Sequence, residues 1–185
     1  MRFLNPDSVA ENPGDIHLSA KKYRQIQKLL GNNRVKFPFS LSLKKRIDEY
    51  LCMGDTQPAV VVSLSPLTVA AYSDEMDAVV MLRFPDKLAE QYALTEGTRL
   101  VTSNVYAFRR GFNVAKDIFI GKKYLDRYSD FIPMVSLFLS ESEDFIRSRT
   151  ALFDEKVWDR VNSKAQRYIT NHPDLYRNGF YYLER

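Results

Sequence analysis

The sequence predicts an α+β fold: a mostly antiparallel sheet of about five to six strands, with helices flanking it on its N-terminal and C-terminal sides. Two observations carry this. Residues 58–84 hold three apolar runs separated by only two short polar breaks, too short for the dozen or more residues of a parallel crossover. Helical periodicity, by contrast, is concentrated before and after the strand-like region, and segregated strands and helices mark α+β rather than a doubly wound sheet.

Residues 1–17 carry Pro6, Pro13 and Gly14 among polar residues and read as an irregular lead-in to one domain. Ser19 then suits an N-cap and Gly31-Asn32 a stop, with Tyr23, Ile26 and Leu30 at helical spacing and Lys21, Arg24 and Lys28 on another face. Leu43, Ile47 and Tyr50 predict a second helix, opened by Lys44, Lys45 and Arg46. The meander over 58–84 follows. Its first turn is Ser65-Pro66, because Pro66 offers a ladder no donor, and its second is residues 73–77.

Pro85-Asp86 opens a short helix that Gly97 ends, and 98–108 reads as a longer strand. Further strands are expected at 117–120 and 134–139. The second is read as strand rather than helix because Ser140-Glu141-Ser142-Glu143 fits a capping box for a helix beginning after it. A helix over 154–169 sets Val157, Val161, Ala165 and Tyr168 on one stripe with Trp158 beside it, and His172-Pro173 stops it.

Hydrophobic residues at 45% and charged residues at 27% exclude a disordered chain. The net charge of +4 hides an uneven distribution. Residues 19–46 hold nine bases and no acid, whereas residues 141–159 hold six acids and three bases. Cys52 is the only cysteine, so no internal disulfide forms and a reducing compartment is favoured. The stretch MRFLNPDSVAENPGD lacks a signal-peptide core, and the apolar stretch 131–139 is far short of the roughly 20 residues that span a bilayer. A soluble, cytoplasmic protein with no membrane partner is expected.

The second turn, Ser73-Asp74-Glu75-Met76-Asp77, places three carboxylates within four residues. Two could act as acid and base, or three could hold a hard cation. No glycine sits where a calcium loop turns, and Ser, Asp and Glu are what a solvated turn between buried strands contains, so the turn reading is preferred. The Asp-x-Lys match of a metal-dependent nuclease occurs only at Asp154-Glu155-Lys156, at a helix start rather than within a strand. His17, His172 and Cys52 show no metal-ligand spacing, and Cys52 reads as a small buried hydrophobe. There is no nucleophile elbow, P-loop or dinucleotide fingerprint, so no catalytic residue, metal or cofactor is assigned.

The basic segments are the stronger signal. Tyr23, Phe37, Phe39 and Tyr50 interleave the cations of 19–46; Phe108-Arg109-Arg110-Gly111-Phe112, Lys116, Lys122, Lys123, Tyr124, Arg127 and Tyr128 form a second group over 108–128. The candidate contact residues are Lys21, Arg24, Lys28, Arg109, Arg110, Lys122, Lys123 and Tyr124. The favoured reading is a non-enzymatic interaction or regulatory protein that binds a protein partner through this basic and aromatic surface. The alternative is a nucleic-acid-binding protein using both basic segments. A hydrolase using Asp74, Glu75 and Asp77 with a metal ranks third. The aromatic tail, Phe180-Tyr181-Tyr182-Leu183, is expected to pack rather than trail in solvent.

Overall fold

Pro66 and the acidic turn each reverse the chain, and the three strands they join pair antiparallel. These are β1 (Asp55–Leu64), β2 (Leu67–Ser73) and β3 (Ala78–Arg83). The register sets Ala59, Ala71 and Val80 side by side on one face and Val60, Ala70 and Met81 on the other. β4 (Arg99–Phe108) pairs with the free side of β1, and β5 (Tyr128–Val135) pairs with β4, both antiparallel. The short β6 (Arg177–Asn178) adds in parallel beside β3, giving the order β5-β4-β1-β2-β3-β6. The computed structural model describes residues 10–31 and 39–183, without the side chains of residues 39 and 40. Arg34, Lys36, Phe37 and Pro38 of the first basic segment lie outside the described residues, as do the first nine residues of the lead-in.

The two edges of this sheet meet. Arg177 in β6 donates from Nη1 to the carbonyl of Phe131 in β5, at 2.8 Å, so the sheet curls until its outermost strands share a side chain. The inner face is lined by Ala59, Val61, Val69, Ala71, Val80, Leu82 and Phe131, which join Phe84, Phe138 and Phe180 in the main core. Phe84 meets Phe138 and Phe180 edge to face, each with centroids 5.0 Å apart, the geometry the ring quadrupoles favour.

Helix α6 (Glu155–Asn171) covers the outer face of β1–β3. Asp154 caps it by accepting from the Val157 N–H at 2.9 Å, and Val161, Ala165 and Tyr168 then fall on one face against Val60, Ala70, Tyr72, Val79 and Met81. Full burial of Val161 alone is worth about 1.5–3 kcal/mol. α1 (Ala20–Leu29) and α2 (Phe39–Met53) bury Tyr23, Ile26, Leu43, Ile47 and Tyr50 in the main core, and α2 lies against β4. Gly31, at φ +67°, follows the end of α1. In α3 (Lys87–Gln91) the carboxylate of Asp86 does not cap its own helix; it accepts from Leu67 N–H at 2.8 Å and pins the β1–β2 turn.

Three expectations are corrected. Residues 117–120 are not a strand: the place beside β4 is taken by β5, and 109–127 run as an irregular connection between the two. Residues 134–139 are divided, with β5 ending at Val135 and a single turn of helix, α4 (Ser136–Leu139), following. Every side chain from 131 to 140 is buried, so periodicity alone could not separate strand from helix there, and β5 begins earlier than its Asp130 and Pro133 implied. Pro133 is tolerated because β5 is an edge strand. The capping box is not made. α5 (Glu143–Ser148) starts after Ser142, which makes no side-chain cap bond, and Glu143 instead pairs with Lys22 at 2.7 Å.

The aromatic tail packs as expected, with Phe180, Tyr182 and Leu183 buried. It crosses Phe84 so closely that a Cβ on Gly179 would lie 2.2–2.4 Å from the Phe84 ring, a space that only glycine fits.

Candidate interaction surface

The connection over 109–127 is long for a compact fold, in which stretches beyond about 12–15 residues without secondary structure are uncommon and usually functional. Its ends are drawn together by chemistry in the sequence. Arg110 at φ +30°, Gly111 at +83° and Asp126 at +62° turn the chain through left-handed conformations. Arg109 N–H donates to the Arg127 carbonyl at 2.9 Å, and the Arg109 guanidinium pairs with Asp126.

Four further anchors hold it to the body. Ala115 N–H donates to the Ser129 carbonyl at 2.8 Å, and Tyr124 OH donates to the Tyr128 carbonyl. Tyr168 OH on α6 donates to the Asp117 carbonyl at 3.0 Å. The Asp117 carboxylate accepts two bonds from Arg177, whose Nη2 also donates to Asp130 at 2.8 Å.

The acidic turn is a fifth anchor rather than a catalytic tip. Asp77 is buried, with Lys164 Nζ at 3.0 Å, Tyr72 OH at 3.3 Å and the Lys123 N–H at 3.4 Å. Burial pushes its carboxyl up, and these partners outweigh that, so its pKa lies below the ordinary carboxylate value. A Cβ on Gly121 would sit 2.0 Å from Asp77 Oδ2, which shows how closely the connection is seated on the turn. Asp74 spends one oxygen on the Glu75 N–H at 2.7 Å. Among the described residues no three His, Cys, Asp or Glu side chains gather as a metal site would require.

What the anchored connection presents outward is apolar and basic. Of nine large hydrophobic side chains exposed among the described residues, four lie here: Phe112 (60% exposed), Phe119 (43%), Ile120 (47%) and Leu125 (68%). Arg110, Lys116, Lys122, Lys123 and Arg127 are exposed among them. Both acids of the connection, Asp117 and Asp126, are spent on arginines, so the outward charge is positive.

The structure sorts the eight candidate contact residues. Arg110, Lys122 and Lys123 lie on this surface; Arg109 and Tyr124 are its internal fastenings. Lys21, Arg24 and Lys28 are exposed on α1, elsewhere. α1 docks beyond the C-terminal end of β5, where Ser19 N–H donates to the Leu139 carbonyl at 2.8 Å and buried Lys22 reaches the Leu137 carbonyl at 2.9 Å. The connection enters at the other end of β5, whose eight residues span roughly 26 Å. Lys21, Arg24 and Lys28 therefore lie apart from the 109–127 surface.

Sequence reading missed a polar array on the inner face at the start of β1. Gln57 donates to Asp55 at 2.6 Å, Thr102 to Asn104 Oδ1 at 2.8 Å, Asn104 to the Tyr72 carbonyl at 2.8 Å and Ser73 to Tyr106 OH at 3.4 Å. Burial pushes Asp55 up to about 6 and Tyr106 well above its usual value. A signal existed: Thr102, Asn104 and Tyr106 alternate along a strand whose facing residues include the polar Asp55 and Gln57. The array's polar groups bond to one another, an arrangement that shapes the end of the core. Among the described residues no helix is long and apolar enough to cross a membrane. Comparison with protein-family models, curated proteins and solved structures gave no match.

Proposed function

We propose that this is an interaction or regulatory protein of the cytosol, binding an acidic protein partner through the 109–127 connection. The observation that supports the reading is the concentration of Phe112, Phe119, Ile120 and Leu125 among five exposed cations on one anchored segment. Apolar anchors within a polar rim are the composition of protein interfaces, and the positive rim selects for and steers an acidic partner. A nucleic-acid partner is less well served. Ile120 and Leu125 are aliphatic and offer no stacking face, and one face of the Phe119 ring is already covered by His172 at 3.8 Å.

The test compares capture by the native protein with capture by Phe112→Ser/Leu125→Ser, each with and without nuclease treatment. Both positions are more than half exposed, so the fold should be retained. The expected result is one acidic protein held in stoichiometric amount, weakened about thirtyfold or more by the double variant, as two interface anchors worth at least ~1 kcal/mol each require. Lys21→Glu/Arg24→Glu should leave capture unchanged. Retention of nucleic acid in place of protein, or equal retention by the double variant, would overturn the proposal.

A further inference from the structure

At one end of the 109–127 connection, and sharing Phe119 and Ile120 with its proposed docking surface, a groove of about 220 Å³ opens between residues 119–121 and the last turns of α6. At ~30 Å³ per water that is space for roughly seven waters, below the range of drug-sized pockets and suited to a compact ligand. Its ring wall is fixed in place: the Phe119 ring stacks on His172 within 3° of parallel and lies edge-on to Tyr168 at 5.4 Å. Ile120 extends that wall.

The polar lining comes from one side of α6. Lys164, Arg167 and Asn171 recur at three- and four-residue spacing, so their side chains point into the same space. Lys164 is already paired with Asp77 at 3.0 Å. Arg167 is exposed, and among the described residues it makes no salt bridge, so its five-donor fork faces the groove uncommitted. Asn171 adds an amide donor at the same end. A planar ring wall and an uncommitted guanidinium lining one groove are complementary to a ligand with a flat apolar body and a terminal anion.

We propose that this groove is a binding site for a small aryl anion, a phosphate or carboxylate on a single ring, with Arg167 engaging the anion and the Phe119–His172 wall covering the ring. The probe is phenyl phosphate, followed by backbone amide NMR shifts, with inorganic phosphate and phenol as the separated halves.

Saturable shifts are expected at residues 119–121 and 164–172, with a Kd of about 1 mM or tighter, and both half-ligands binding at least ~10-fold more weakly. Arg167→Ala should weaken phenyl phosphate about tenfold or more by removing the charge-assisted bonds, and Phe119→Ala should weaken it severalfold, at about the value of one buried ring contact. Two results would overturn the site: no saturation by about 10 mM, or equal binding of inorganic phosphate with no loss in Phe119→Ala. Phe119 and Ile120 are common to both, but Arg167 lies outside the 109–127 connection and Phe112 and Leu125 lie outside the groove, so Arg167→Ala and Phe112→Ser/Leu125→Ser let the two fail separately.

Discussion

Arg177 is the side chain on which the presented surface most depends. It lies at the edge of the sheet with only 11% of its side chain exposed, and it bonds Asp117 of the connection, Asp130 and the Phe131 carbonyl of β5, and Tyr181 of the tail. Arg177→Met keeps the volume and removes the charge. Two carboxylates, 16% and 18% exposed, are then left without their cation. Breaking a buried pair from one side costs about 3–5 kcal/mol. For a chain of this size each kcal/mol lowers the melting temperature by roughly 2–4 °C, so a fall of roughly 6–20 °C is expected.

The deficit should depend on pH with a definite sign. Burial, opposed by Arg177, already holds the Asp130 carboxyl above its ordinary value. Without Arg177 it rises further, so the folded state binds a proton the unfolded state lacks, and stability falls as pH rises through the folded pKa. The variant should therefore be weakest near neutrality and recover toward the unfolded carboxylate value of about 3.9. Limited trypsin digestion should at the same time speed up at Lys116, Lys122 and Lys123, because Asp117 no longer fastens the connection. If Arg177→Met melts within about 1 °C of the native protein with an unchanged digestion pattern, the clamp argument is wrong.

Asp55 gives a lever of the same sign, already present in the native protein. With its carboxyl pushed from 3.8 to about 6 by burial, it contributes stability below 3.8 that is lost as pH rises through 6, up to about 3 kcal/mol in all. Asp55→Asn should flatten that part of the pH–stability curve, measured by urea unfolding from pH 4 to 8; an unchanged curve would place the titration elsewhere. Gly179→Ala should destabilise by about 1–3 kcal/mol, because its Cβ meets a Phe84 ring already wedged between Phe138 and Phe180. A denaturation midpoint equal to the native one would show that the tail has room to shift.

The elements with a strong local signal were legible in the sequence. Asp154 caps α6 and its stripe meets the sheet; Pro66 and the acidic turn bound three antiparallel strands; the tail packs. What was not legible depends on contacts distant in sequence. Whether residues 117–120 pair depends on which strand takes the edge of β4, and β5 was obscured by Asp130, whose charge is met by Arg177, 47 positions away. Glu143 looked like half of a capping box until Lys22, 121 positions earlier, claimed it.

The candidate site divided on the same principle. The basic segment 108–128 was visible as composition, but only the fold distinguishes Arg109, paired with Asp126, from Arg110, which is exposed. The exposure of Leu125 and Ile120, on which the protein-partner reading rests, has no local signature at all.

The most direct measurement is site-specific photo-crosslinking in cells, with the reactive side chain placed at position 112 in one protein and at position 28 in another. A docking surface on the 109–127 connection predicts one discrete protein adduct from position 112, suppressed by excess native protein but not by Phe112→Ser/Leu125→Ser, and none from position 28. An adduct formed from position 28 alone, or nucleic acid captured from position 112, would contradict it.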